Sequence, residues 1–172
     1  MDVRSFAYND KLDKQYRKVS NGLVVSGMGV VFFGLWSVIK VFAEISFGEL
    51  DLFGFLMSGL EDTPEMRALM YAIFVAVILF VILLHYYIGR CAIQVGSGRK
   101  NRYLYIVLAA FLLYLNIMGF KQYFSTEIDV YGAQFDVTVA SFFVDVANCA
   151  TAMNLIVSSI IYYSLKKIAG EE

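Results

Sequence analysis

Four long apolar stretches, separated by polar or glycine-rich interruptions, organise the chain. The first runs from about Asn21 to Ala43, through Gly22-Leu23-Val24-Val25 and Val30-Val31-Phe32-Phe33, with one charge, Lys40, near its end. It is longer than the apolar region of a signal peptide, and Ala43-Glu44-Ile45-Ser46 makes no convincing cleavage site, so it reads as a retained span. The second follows Asp62-Thr63-Pro64-Glu65, where Asp62 is placed to cap, Pro64 suits a first helical turn, and Glu65 stands three residues after Asp62 as in a capping box. It spans about 66–91, stays apolar from Met66 to His85, and keeps a helical pattern to about Val95, where Gly96-Ser97-Gly98 stops it. The third stretch covers about 103–120 and the fourth about 137–165, with Asp136 as its expected cap. Each has at least the roughly 17 residues that a membrane-crossing helix needs. Short connections make neighbours antiparallel. The predicted fold is an all-α integral membrane protein, one domain over 1–172, with four transmembrane helices in an antiparallel bundle.

Composition agrees, since 172 residues at 59% hydrophobic and 17% charged are too apolar for a water-soluble domain. Basic residues near span ends stay on the cytoplasmic side. Eleven fall on one side: Arg4, Lys11, Lys14, Arg17 and Lys18 before the first span, Arg90, Arg99, Lys100 and Arg102 between the second and third, Lys166 and Lys167 after the fourth. The opposite loops carry Arg67 and Lys121 among nine acids. Both termini are therefore expected in the cytoplasm, with outer loops at about 44–65 and 121–136 and a cytoplasmic loop at about 92–102. Residues 1–20 place Val3, Phe6, Leu12, Tyr16 and Val19 at roughly helical spacing among basic residues, which suits a short amphipathic segment on an anionic membrane surface or, equally, a solvated tail. Residues 45–61 are too apolar for a solvated loop and too short to cross, which suits an interfacial or re-entrant outer segment.

A polar side chain inside a bilayer is the informative observation, because a central charge costs about 2.5–3.5 kcal/mol on insertion scales. At about 100° per residue, Thr138, Ser141, Asp145, Asn148, Cys149, Ala152 and Ser159 share one side of the fourth span. Ala140, Ala147, Thr151, Asn154 and Ser158 form a second small, polar stripe. The remaining sector alone is suited to lipid, so this helix is expected to pack on two sides and to be more buried than its neighbours. Gly22, Ser26, Gly29, Phe33, Ser37, Lys40 and Glu44 align in the first span, and Arg102, Tyr105, Ala109, Leu112, Asn116 and Gly119 in the third. Ala68, Ala72 and Ala76 make a packing stripe in the second. Lys40, Asn116 and Asp145 lie about 5, 6 and 13 Å below the outer boundary, within the reach of a lysine side chain. Lys40, Asn116, Asp145, Asn148 and Ser141 are thus expected to meet in one polar cluster binding a proton or small cation. Ala147, Thr151, Asn154, Ser158, Ser26 and Gly29 are the expected helix-packing positions. The inert reading has Lys40 reaching the headgroups, Asn116 joining two helices, and Asp145 protonated or capped.

Other chemistry is thin. The single histidine, His85, stands beside Tyr86 and Tyr87 near the cytoplasmic end of the second span, as in an interfacial aromatic belt. Gly96-Ser97-Gly98-Arg99-Lys100 lacks the glycine spacing of a phosphate-binding loop and reads as a turn with basic anchors. Cys91 and Cys149 have no paired spacing, and one histidine supports neither a metal site nor haem, so no catalytic residue, metal or cofactor is expected. A net charge of −1 gives no case for nucleic acid. Two classes remain. One is a translocation or channel-type subunit with its site at Asp145, forming a homo-oligomer. The other is an accessory or assembly protein that binds partner membrane helices through the fourth span. In both the surrounding partner is the lipid bilayer.

Overall fold

The computed structural model describes residues 3–46, 63–99, 102–125 and 133–168, all of which belong to four helices and their immediate ends. They are α1 (Val3–Ser46), α2 (Pro64–Gly96), α3 (Leu104–Ser125) and α4 (Ala133–Ile168). Stretches of α1, α2 and α4 are long and apolar enough to cross a membrane, while the apolar part of α3, Leu104–Phe120, is shorter. Most of the segment 45–61 lies outside the described residues.

Helix limits differ from expectation where local chemistry decides them. Thr63, not Asp62, caps α2: its Oγ1 accepts a hydrogen bond from the Met66 backbone N–H at 3.3 Å, and Pro64 occupies the first turn, where no N–H is needed. At the other end of α2 the chain closes a Schellman motif. The Arg99 N–H donates to the Gln94 carbonyl and the Gly98 N–H to Val95, each at 2.9 Å. Gly98 has φ +70°, a conformation a β-carbon disfavours, so the turn reading of this loop holds for a stated reason. Asp136 falls inside α4, which begins at Ala133, and so does not cap it. The amphipathic segment before the first span is continuous with α1 rather than a separate element. Tyr16 holds it against α4, donating to the Tyr162 hydroxyl at 2.7 Å with ring centroids 5.0 Å apart.

α1 packs against α2 on one side and α4 on another, α4 also packs against α3, and α2 and α3 touch lightly. Most buried side chains lie toward the α2–α3 loop: Leu23 and Val30 on α1, Ile88, Ala92 and Val95 on α2, Tyr105 and Ala109 on α3, Leu155 and Tyr162 on α4. Residues 63–84 of α2 contribute none. The surface is inverted relative to a water-soluble bundle. Ser26, His85, Asn148, Ser158 and Ser159 are buried, whereas Val25, Leu83, Val107 and Phe143 are each more than 60% exposed. Lipid solvates apolar side chains as well as a protein interior does, so small and hydrogen-bonding residues occupy the helix contacts instead.

Two seams on α1 show this. Toward α2, Ser20 donates from its hydroxyl to the Gly96 carbonyl, Gly27 crosses Gly89 backbone to backbone, and Gly34 makes room for the His85 ring. Toward α4, Gly22 meets Ser158, Ser26 accepts from Asn154 Nδ2 at 2.7 Å, and Gly29 meets Thr151. In their most apolar stretches α1 is 33% buried, α4 22% and α2 6%, while along their described lengths α4 carries seven buried residues and α1 five. Two expectations about α2 fail. Ala68, Ala72 and Ala76 are exposed and, among the described residues, face no other helix. His85 is buried in the Gly34 notch with Nδ1 against the Val81 carbonyl at 2.8 Å, and does not stand in an interfacial belt.

Candidate functional site

The polar cluster is assembled by α4, which reaches both neighbours at once. Asn148 sits on the α3 side, where its Nδ2 donates to Asn116 Oδ1 at 3.0 Å. Asn116 in turn donates from Nδ2 to the Leu112 carbonyl one turn earlier in its own helix, at 2.8 Å, which orients the amide oxygen outward to Asn148. Less than one turn along α4, Asp145 points to α1, and Lys40 Nζ donates to its Oδ2 at 3.1 Å. Ser141, one turn further, is buried on the same side of α4. The structure therefore brings Lys40 to Asp145 and Asn116 to Asn148, as two bonded pairs sharing one stretch of α4.

The ion pair is neither fully enclosed nor fully exposed: side-chain exposure is 21% for Lys40 and 27% for Asp145, and the two charges neutralise each other. A charge in an apolar environment is tolerated when a counter-charge and hydrogen bonds replace water, and the Lys40 ammonium supplies that here. A carboxylate so placed has two chemical options: to remain paired with the ammonium, or to take a proton or small cation when the ammonium withdraws.

The packing positions separate by neighbour. Thr151, Asn154 and Ser158 lie against α1, where a β-carbon on Gly29 would stand 2.8 Å from Thr151 Cγ2. Ala147 is half-buried, and its carbonyl accepts the Thr151 hydroxyl at 2.8 Å. Ser159, on the other stripe, meets the Tyr105 hydroxyl of α3 at 2.8 Å. Both polar stripes of α4 are thus occupied by helices of the same chain.

Sequence reading missed a set of contacts at the α2–α3 loop. Arg102 Nη1 donates to Cys91 Sγ at 3.5 Å, its backbone N–H donates to the Tyr163 hydroxyl at 3.2 Å, and that hydroxyl donates to the Arg102 carbonyl. Arg90 Nη1 donates to the Tyr86 hydroxyl at 2.8 Å with its guanidinium over the ring. The Tyr86/Arg90 spacing of four residues was the available signal; the Arg102 contact crosses a loop and had none. Cys91 is a buried thiol and Cys149 a half-buried one, on different helices. Among the described residues no three His, Cys, Asp or Glu side chains converge as metal ligands would. The chain matches no protein-family model, no curated protein and no solved structure.

Proposed function

We propose that the protein is a translocation or channel-type membrane subunit in which Asp145 binds a proton or small cation and Lys40 is the competing counter-charge. The observation that carries this reading is the Lys40–Asp145 pair, 3.1 Å apart on facing helices and partly accessible. Asn116 and Asn148 border it with amide groups able to coordinate a cation released from water. When Lys40 is paired the carboxylate binds weakly; when it moves away the affinity rises, which couples occupancy to the spacing of α1 and α4. An accessory role through α4 has less support, because both polar stripes of that helix already face α1 and α3.

In this reading α3 is the fourth span. Its apolar part of 17 residues covers about 25 Å, and the whole helix of 22 residues about 33 Å. Four crossings also place both ends of the bundle on one side, as the basic residues in the first turns of α1 and the last turn of α4 require, whereas three would separate them. A single four-helix unit encloses no wide pore, so passage of anything larger than a proton calls for assembly of several copies.

The test is Asp145→Asn, which keeps shape and hydrogen bonding and removes the charge. In reconstituted vesicles carrying an internal pH dye, the variant should assemble normally and lose proton- or cation-dependent flux, while Lys40→Met should shift its pH or ion dependence. Asp145→Asn vesicles that match the unaltered protein across pH and ion gradients reject the reading.

A further inference from the structure

Asn154 stands where a polar side chain needs a reason. It is the fourteenth of the 28 residues of the apolar stretch of α4, Ser141–Ile168, and so lies at the middle of the crossing. Its side chain is nonetheless exposed. Nδ2 gives one N–H to Ser26 Oγ at 2.7 Å, and among the described residues the second N–H and Oδ1 meet no partner. At that depth acyl chains offer neither donor nor acceptor, and an amide left facing them is costly. A hydrogen-bonding group at the same depth on another polypeptide removes that cost.

The surface around Asn154 has the form of a helix contact. Phe143, Ala147, Ala150, Asn154, Val157 and Ile161 follow one another at alternating steps of four and three residues, the period of a seam between two supercoiled helices. Five of the six are exposed and Ala147 is half-buried, so α1 reaches only the edge of the seam and, among the described residues, no helix covers it. From Phe143 to Ile161 it extends about 27 Å, close to the thickness of a hydrocarbon core. Ala147 and Ala150 let another backbone approach beside the amide.

We propose that this face of α4 is the contact between two copies of the chain, related by a two-fold axis along the membrane normal, with the two Asn154 amides bonded to each other across it. The amide selects the occupant. With one N–H and one carbonyl to offer, it complements itself, and two such groups exchange two N–H···O bonds. Copies inserted in the same orientation share a two-fold axis only along the normal, and that axis brings Asn154 to its own equivalent at equal depth. One Asn in an otherwise apolar seam fixes the register, because any shift along the helices strands both amides. The pairing is independent of any role for Asp145, which lies nine residues away on the opposite side of α4.

The full chain, with Cys91 and Cys149 replaced by Ala and a donor or acceptor fluorophore on Ser97→Cys, is reconstituted into phosphatidylcholine vesicles over a range of protein-to-lipid ratios, and energy transfer reports pairing. Asn154→Ala in this background should need about tenfold more protein per lipid for half pairing. Ser26→Ala removes the partner of Asn154 within the chain, leaves the amide in place, and should pair as before. Without the Ser97 label, Val157→Cys should give a disulfide-linked dimer under a membrane-permeant oxidant, whereas Met153→Cys, equally exposed but about 100° round the helix from Asn154, should not. Dodecyl sulfate unfolding checks the fold of each variant; should Asn154→Ala fail there, Val157→Cys against Met153→Cys decides. A chain that stays monomeric at every ratio overturns the proposal, as does pairing unchanged in Asn154→Ala. Equal weakening by Ser26→Ala would confine Asn154 to its own bundle, and equal cross-linking at Met153 would mean random encounter; either result also overturns it.

Discussion

Replacing Gly27 by Ala tests the close approach of α1 and α2 that organises the bundle. The new β-carbon would lie 2.8 Å from the Gly89 carbonyl oxygen, 3.0 Å from Ile93 Cγ1 and 3.2 Å from Ala92 Cβ. The first neighbour is backbone and cannot rotate away. Restoring a 3.4 Å contact requires the helices to separate by about 0.6 Å, and a gap of that order forfeits a quarter to a half of each van der Waals contact it opens. The seam includes Leu23, Val30, Ile88, Ala92 and Val95, all nearly fully buried, so the upper end of the usual overpacking cost applies, about 3 kcal/mol. Better helix propensity of Ala offsets about 1 kcal/mol. The expected net loss is about 2 kcal/mol, about thirtyfold in the folding equilibrium. Gly119→Ala is the control, because a β-carbon there meets nothing within 4 Å; it should be neutral or stabilising by up to about 1 kcal/mol. Unfolding by dodecyl sulfate titration in mixed micelles, followed by circular dichroism and by fluorescence of the single tryptophan, Trp36, measures both. If Gly27→Ala falls within a few tenths of a kcal/mol of Gly119→Ala, the backbone crossing does not hold α1 to α2.

Four further outcomes are expected. Lys40→Met and Asp145→Asn combined should be more stable than Lys40→Met alone, which removes the ammonium that neutralises the carboxylate; with both groups partly exposed the single change should cost about 1–3 kcal/mol, less than for a fully buried pair, as the same titration would show. Tyr105→Phe removes a buried hydroxyl bonded to Ser159 and should cost about 1 kcal/mol without altering helix content. Ala147→Leu should lower stability or assembly more than Val146→Leu, since Ala147 is half-buried and Val146 is exposed; equal tolerance in size-exclusion and unfolding assays would reject close packing there. A cysteine at exposed Ser97, in a chain with Cys91 and Cys149 replaced by Ala, should resist an impermeant reagent in sealed cells and react after permeabilisation; labelling in sealed cells would invert the proposed topology.

The helices and the polar pairs were legible because each rests on one helix's periodicity. The stripe Gly22, Ser26, Gly29 and Lys40 predicts a face of α1, the two polar stripes predict two faces of α4, and the structure sets the first against Thr151, Asn154, Ser158 and Asp145. What was not legible concerns which faces meet lipid. Small residues mark a close contact only if a partner helix is present, and along Ala68, Ala72 and Ala76 none is among the described residues, where α2 and α3 touch only lightly. The seam that does hold α2 was present in the sequence at a different period: Ser20, Gly27 and Gly34 recur every seven residues, as do Gly89 and Gly96. A seven-residue repeat keeps one face toward a neighbouring helix over several turns. Reading α1 as a single polar stripe hid this second face, and with it the seam that holds α2. His85 follows from the same oversight. Its neighbours Tyr86 and Tyr87 suggest a headgroup belt, yet the absence of a side chain at Gly34 opens a notch on the facing helix, and a ring placed there is buried. A glycine seven residues from a glycine is therefore evidence about the partner helix's bulky residues as well as about its own backbone.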